Sequence, residues 1–402
     1  MQITRIKPGG WLIILALLAL IFYGVRTFKQ RLAPGGTSGS VTASGTPVTI
    51  TGDEKQGTAS LTPTEAAGGD ILVSTTGTKE KWMRTQIDKF NAQSSGGKAK
   101  LDLTESRESM QAILNDKLHP TVWSPSSPVW TSRVADYWPQ THSGQRIADL
   151  NSSDTYRVLF KSPLVFVTTK EKARFLRPLL GGATPWENVR QLSLGQKKCP
   201  WGRFQFAYAD PLNASSGTLT MSLIITEYAR AHGQDNDLNA AAGSSGFAAY
   251  LSQINRAYVR GADNAGSSKL EKAYTRSTGS RDFITAYENA ALAALDRNPD
   301  LALIYPSPTV TADQGVLILS APWVSDSQKQ TAHAFLDFLG TPEALDDGVQ
   351  YYFRPTQGGG QALATRLSAP ARAQYHASPV TVDLPPYEAL NEAAARWNAQ
   401  MK

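Results

Sequence analysis

Four short hydroxyl-rich segments punctuate this chain: Ser74-Thr75-Thr76-Gly77, Ser124-Pro125-Ser126-Ser127, Ser215-Ser216-Gly217-Thr218 and Ser277-Thr278-Gly279-Ser280. The first three each follow an apolar run that reads as a strand and precede a stretch of helical period. A strand that ends in Ser, Thr or Gly and turns into a helix leaves backbone N–H groups free at the helix start. With the hydroxyls beside them and the positive end of the helix dipole, those donors suit an oxyanion or another compact polar ligand. Ser and Thr are also ordinary helix caps, so each segment alone has two readings. Their recurrence in both halves of the chain points to a cleft between two lobes.

The runs between them define the fold class. Ile71–Val73, Leu101–Leu103, Thr121–Trp123, Leu164–Val167, Phe206–Ala209, Leu301–Ile304 and Val316–Leu319 read as strands. Helical spacing predicts helices over Glu80–Asn91, Ser106–Leu118 with Ser106 as cap, Lys170–Leu180, Gly217–Ala231, Gly246–Val259, Arg281–Leu295, Ser327–Leu339, Pro342–Tyr351 and Tyr387–Gln400. Strand–helix alternation with short connections is the pattern of an α/β protein with a parallel-rich mixed sheet. Ligands bind such sheets at the carboxyl ends of strands, where two of the hydroxyl segments fall.

The N-terminus is different in kind. Trp11 to Val25 is uninterrupted by charge, with Arg5 and Lys7 before it and Arg26, Lys29 and Arg31 after it. As a helix from Trp11 to Phe28 it would span about 27 Å, close to the roughly 30 Å of membrane hydrocarbon. No small-x-small cleavage site follows the run directly, where Val25-Arg26-Thr27 stands instead, so an uncleaved signal-anchor over 1–31 is expected rather than a removed signal peptide. Residues 32–69 are rich in Gly, Ser, Thr and Pro and cannot bury enough surface to fold. They read as a tether of about 35 Å root-mean-square span. The expected arrangement is a single-pass anchor in the cell membrane, a tether, and an extracytoplasmic body with residues 70–160 and 297–402 in one lobe and 161–296 in the other.

Composition excludes several classes. With 402 residues, 41% hydrophobic and 18% charged, the body is large enough for two lobes, and the net charge of +6 is scattered without a dense basic block, so nucleic acid is not an expected partner. The single cysteine, Cys199, allows no intrachain disulfide and no cysteine-based zinc site. The five histidines lack metal-ligand spacing, there is no Gly-x-Ser-x-Gly elbow, and Gly96-Gly97-Lys98-Ala99 is not a phosphate loop. Neither an enzyme nor a cofactor nor a metal is expected.

The order of motifs resembles the type II extracytoplasmic solute-binding proteins, the two-lobed periplasmic-binding-protein fold of the molybdate- and phosphate-binding branch. The likeness rests on Ile71-Leu-Val-Ser-Thr-Thr-Gly77, on Val122-Trp-Ser-Pro-Ser-Ser127 in the form seen in members fused to von Willebrand A domains, and on Ser162-Pro-Leu-Val-Phe-Val167. It continues in Ala209-Asp-Pro-Leu-Asn-Ala-Ser-Ser-Gly217, in Tyr287-Glu288-Asn289 with Ile304-Tyr-Pro306, and in Ala334-Phe-Leu-Asp-Phe-Leu339 with Tyr352-Phe-Arg-Pro355. It covers roughly residues 70–356. The ligand loops match neither the phosphate nor the molybdate pattern, no lipid-anchor cysteine follows the leader, and no von Willebrand domain is present in the chain.

The resemblance implies capture of a small polar solute, an oxyanion among the possibilities, by hinge closure. The implied partner is a membrane permease of the ATP-binding-cassette type or a chain bearing a von Willebrand A domain. The alternative function is an envelope scaffold or sensor that uses the same fold without transport. The candidate ligand residues are Ser74, Thr75, Thr76, Ser126, Ser127, Ser215, Ser216, Gly217, Thr218 and Ser280, with Tyr287 placed to close the cleft; the bland reading of each is a cap or, for Tyr287, a core aromatic. Glu288 would repel an anion if it faced the cleft, and Asp210 is expected to order the turn at Pro211.

Overall fold

Ile71–Thr75 forms β1, and its apolar residues have a parallel partner on each side, β2 (Ala99–Leu103) and β3 (Val122–Ser124). This is a computed structural model, and it describes residues 69–356 and 359–402. The expected anchor at 1–31 and nearly all of the tether lie outside the described residues. Among the described residues no helix is long and apolar enough to cross a membrane.

Helices α1 (Glu80–Gln93), α2 (Ser106–Leu114) and α3 (Pro128–Thr141) follow β1, β2 and β3 in turn. All three ligand-side loops therefore leave the sheet from the same edge. The long β4 (Tyr156–Thr169) comes next, then α4 (Lys170–Leu180), α5 (Pro185–Ser193), β5 (Phe206–Ala207), α6 (Ser215–Ala231), α7 (Leu238–Gly243), α8 (Ser245–Ile254) and α9 (Ser267–Arg276). The chain returns through β6 (Phe283–Tyr287), α10 (Glu288–Arg297), β7 (Leu301–Ile304) and β8 (Thr309–Ile318). It closes with α11 (Asp326–Leu339), α12 (Pro342–Gln350), β9 (Arg354–Pro355), α13 (Gly359–Arg366), α14 (Ala369–Arg372), β10 (Thr381–Val382) and α15 (Tyr387–Met401).

The strand order is β2-β1-β3-β8-β4-β6-β5, and β4 belongs to both lobes. Its first half, Tyr156–Pro163, pairs antiparallel with β8, and its second half, Leu164–Thr169, pairs with β6 and β7. Pairing is thus unbroken from one lobe to the other. The two lobes share β4 as a hinge strand instead of being joined by free loops, and the partner exchange falls between Pro163 and Leu164. The first lobe has its own core of Ile71, Val73, Trp82, Phe90, Phe160 and Phe335.

One expectation fails here. Arg281–Leu295 is not one helix: Phe283–Tyr287 is strand β6 and the helix starts at Glu288. All five residues of β6 are buried, so no polar alternation marks it as a strand, and a short apolar run of that kind mimics a helix face. The C-terminal residues, expected with the first lobe, also make other contacts. Leu363, Leu367 and Ala371 pack with Leu292 and Leu295 of α10, and β10 adds to the start of β8. Helix α15 bridges the lobes. On one side Arg133 of α3 pairs with Glu388, and Arg107 of α2 donates to Asn391. On the other, Trp397 lies against Tyr208 and Tyr258, and Asn255 donates to Gln400.

Candidate functional site

Because β1, β2 and β3 run parallel, the loops at their carboxyl ends lie side by side. Thr75 donates to the carbonyl of Ser124 at 2.8 Å, and the hydroxyls of Thr76 and Ser126 meet at 2.6 Å. Below them Lys79, only 1% exposed, donates to Ser124 Oγ at 2.7 Å and to the Pro125 carbonyl at 2.8 Å. Ser124 Oγ passes its own hydrogen to the Gly315 carbonyl of β8. Burial pushes the Lys79 amine well below its ordinary value, and its bonds to Ser124 and Pro125 make this side chain a cross-brace of the floor.

The second lobe closes on this floor. Trp130 Nε1 of α3 donates to Ser215 Oγ at the start of α6, 3.1 Å away. Tyr287, at the end of β6, is 1% exposed, and its hydroxyl stands 3.5 Å from the Ser126 carbonyl. The Gln314 side-chain amide of β8 donates to the same carbonyl at 3.5 Å. Those two contacts are long for hydrogen bonds. Ser216 donates to Ser267 Oγ at the start of α9. Burial drives the Tyr287 phenol up, and the Ser215 hydroxyl beside it draws it partly back, so it is a neutral donor at any physiological pH.

The structure therefore brings together Thr75, Thr76, Ser126, Ser215 and Tyr287, while Ser216 turns to Ser267. It sets the others apart. Ser74 donates to Asp102 on β2. Ser127 caps α3 by accepting from Val129 N–H, and Thr218 donates to the Pro211 and Ala214 carbonyls. Gly217 serves packing: a Cβ there would stand 2.1 Å from the Ala209 carbonyl oxygen, so the helix start can approach the preceding loop only without a side chain. Ser280 is exposed and precedes β6, at the opposite end from Tyr287, out of reach of the cluster. Asp210 orders its turn as expected, accepting from Leu212 N–H and from the Asn213 amide, each at 2.7 Å. Glu288 is wholly buried and held by Arg354 and Tyr305.

Four residues of the cluster had no place in the sequence-based expectations: Lys79, Glu105, Trp130 and Gln314. Glu105 was the most accessible to such reasoning, since Leu103-Thr104-Glu105-Ser106 is itself a strand-to-helix turn with hydroxyls. The N-cap of α2 is Glu105 rather than Ser106, and its carboxylate makes no capping bond. Ser106 Oγ instead accepts from Ser126 N–H.

Strand β4 shared by two α/β lobes, with polar contacts between the lobes through Ser215 and Tyr287, is a two-lobed architecture. Residues 71–354 match the bacterial extracellular solute-binding proteins, and the chain belongs to that family. Its body is accordingly extracytoplasmic and its role is the binding of small solutes. No curated protein sequence matches the chain. Among solved structures, the sulfate-binding protein SubI of Mycobacterium tuberculosis is similar at 15% identity and a TM-score of 0.54, over 78% of this chain and 93% of that one. A candidate spermidine/putrescine ABC transporter protein of Listeria monocytogenes is similar at 14% and 0.57, over 83% and 99%. The periplasmic binding protein AfuA of Actinobacillus pleuropneumoniae, with fructose-6-phosphate bound, is similar at 13% and 0.52, over 83% and 97%. These likenesses establish the fold. Such different ligands on one fold mean that the solute has to be argued from the cleft.

Proposed function

We propose that the protein is a membrane-tethered receptor that captures a small polar solute between its lobes and delivers it to a membrane permease of the ATP-binding-cassette type. The observation that carries this reading is a pair of contacts across the lobes, Trp130 to Ser215 and Tyr287 to the Ser126 carbonyl, next to the Thr76–Ser126 hydroxyl pair. Opening would part Trp130 from Ser215 and Tyr287 from Ser126, and closure on a solute would replace those contacts with contacts to the ligand. The start of α6 is the feature that favours an oxyanion. The apolar run at 1–31 is the feature that favours anchoring.

A thermal-shift screen of oxyanions, sugars, amino acids and amines tests this, because a ligand at 100 times its Kd stabilises the fold by about 2.7 kcal/mol. The ligand found should bind at least ten-fold more weakly to Tyr287→Phe and Ser126→Ala. Binding that both substitutions leave untouched would place the solute elsewhere.

The scaffold or sensor alternative has its own support. Helix α15 holds α2 and α3 together with α6–α8 through the Glu388–Arg133 pair and buried Trp397, which resists opening. Under that reading a chain bearing a von Willebrand A domain becomes the expected partner, and distances between labels on the two lobes would not change with any solute.

A further inference from the structure

The charges around the cleft are unequal. Lys79 is spent on the floor, as described above. Glu105 is not spent on anything: it caps α2 without a capping bond, and neither an ion pair nor a hydrogen bond to its carboxylate exists among the described residues. Yet it is only partly exposed and stands at the seam of the lobes. A side chain at Gly77 would come within 3.9 Å of both the Glu105 Oε1 and the Ser268 Oγ of α9. The Tyr287 phenol lies within the field of this carboxylate. Burial raises the carboxyl, Glu108 adds to that rise, and Lys269 pulls against it from a distance too long for an ion pair.

A second acceptor is idle nearby. Gln314 is 1% exposed, its Nε2 points at the Ser126 carbonyl, and its Oε1 has no partner. A buried acceptor without a donor is costly. Gln314 Oε1 is one, and the partly exposed Glu105 carboxylate adds a negative charge that no cation among the described residues pairs. Sulfate or phosphate would bring more acceptors and would be repelled by Glu105. An alkylammonium brings a positive charge and up to three N–H donors, and the surrounding hydroxyls can turn their oxygens toward it.

We infer that the solute carries a protonated amine, and that this ammonium docks on the Glu105 carboxylate at the seam between Gly77 and the start of α9, within reach of Tyr287 and Gln314. This rests on the cleft being the solute site. Glu105 is then the charge-selecting residue, and Lys269, exposed at the rim, competes weakly for it.

The test is titration calorimetry on the full chain with ethanolamine, 1,3-diaminopropane and lysine, against sulfate, phosphate and glucose. The expected result is that at least one amine binds, that Glu105→Gln weakens it by ten-fold or more at an unchanged melting temperature, and that Lys269→Gln tightens it by two- to five-fold. Failure of all three amines to bind overturns the inference whatever else binds. So does an anion or sugar that is weakened by Tyr287→Phe and Ser126→Ala but unaffected or tightened by Glu105→Gln; that outcome keeps the cleft and removes the ammonium. A bound amine indifferent to Glu105→Gln, Tyr287→Phe and Ser126→Ala alike overturns both this inference and the cleft itself.

Discussion

Two of the glutamates at helix starts, Glu288 and Glu105, are treated in opposite ways. Glu288 opens α10 and is fully buried. Arg354 grips both of its oxygens, and the Tyr305 hydroxyl donates to Oε1 at 2.5 Å. Burial alone would lower the Arg354 guanidinium, and the Glu288 carboxylate more than reverses it. The same arginine donates to the carbonyls of His376 and Ala377 and lies over the Tyr375 ring, so the pair is a rivet between lobe and C-terminal segment. Glu105 opens α2 with no such company. A buried charge that the protein completes by itself holds structure together; one that it leaves incomplete at a seam between lobes is available to a ligand.

The sharpest way to break this contrast is Arg354→Ala, which strands Glu288 without its cation. A stability loss of about 3–5 kcal/mol is expected, read from denaturant unfolding; a loss under about 1 kcal/mol would mean that the rivet holds nothing. Glu227 gives an intermediate case, a carboxylate only 8% exposed that accepts from the Trp186 and Glu187 amides at the start of α5 and has no cation. Burial raises it from an ordinary 4.5 to about 7, with those amides pulling partly back. The folded protein then holds this proton more tightly than the unfolded chain does. Its contribution to stability is intact below pH 4.5 and is lost as pH rises to about 7, by on the order of 3 kcal/mol. Melting temperatures measured against pH should show that fall, and Glu227→Gln should flatten it.

Tyr305→Phe removes one hydrogen bond to the riveted carboxylate and should cost about 1.5–3 kcal/mol, again by unfolding. Glu105→Gln should change stability by less than about 0.5 kcal/mol. A larger loss would show that Glu105 has a structural partner after all, and the contrast between the two glutamates would dissolve.

The legible part of the fold was the part whose residues repeat a pattern. Strand β1 with α1, α4 and α6 were readable to within a few residues because apolar runs and helical faces alternate cleanly there. β6 was not, because a strand covered on both faces shows no alternation. Ser280 is a candidate through its hydroxyl-rich segment, with a cap of the helix expected over Arg281–Leu295 as the other reading, and strand β6 carries the chain away from it before Tyr287 is reached. Hydroxyl clusters mark the loops at the strand ends but do not separate Thr76 and Ser126, which face each other, from Ser127 and Thr218, which cap or brace. Gly217, expected to let a ligand approach the backbone, instead admits the Ala209 carbonyl through its missing side chain. Glu105 stands out only once its lack of a partner is visible, and that is a property of three-dimensional neighbours rather than of residue type.

The residues after Arg354 lie beyond the family match, and they cross the hinge: β10 lies along β8, and α15 reaches from α7 and α8 to α3. A hinge bound in this way cannot open one lobe without loosening the other end of the wrap. Under the proposed receptor reading the closed form is then the resting form, and a solute must wait for a rare opening. Such a receptor would be slow to load and slow to empty. Its selectivity between solutes at comparable concentration would be decided as much by residence time as by affinity, and the length of that residence would be set by a helix outside the proposed cleft.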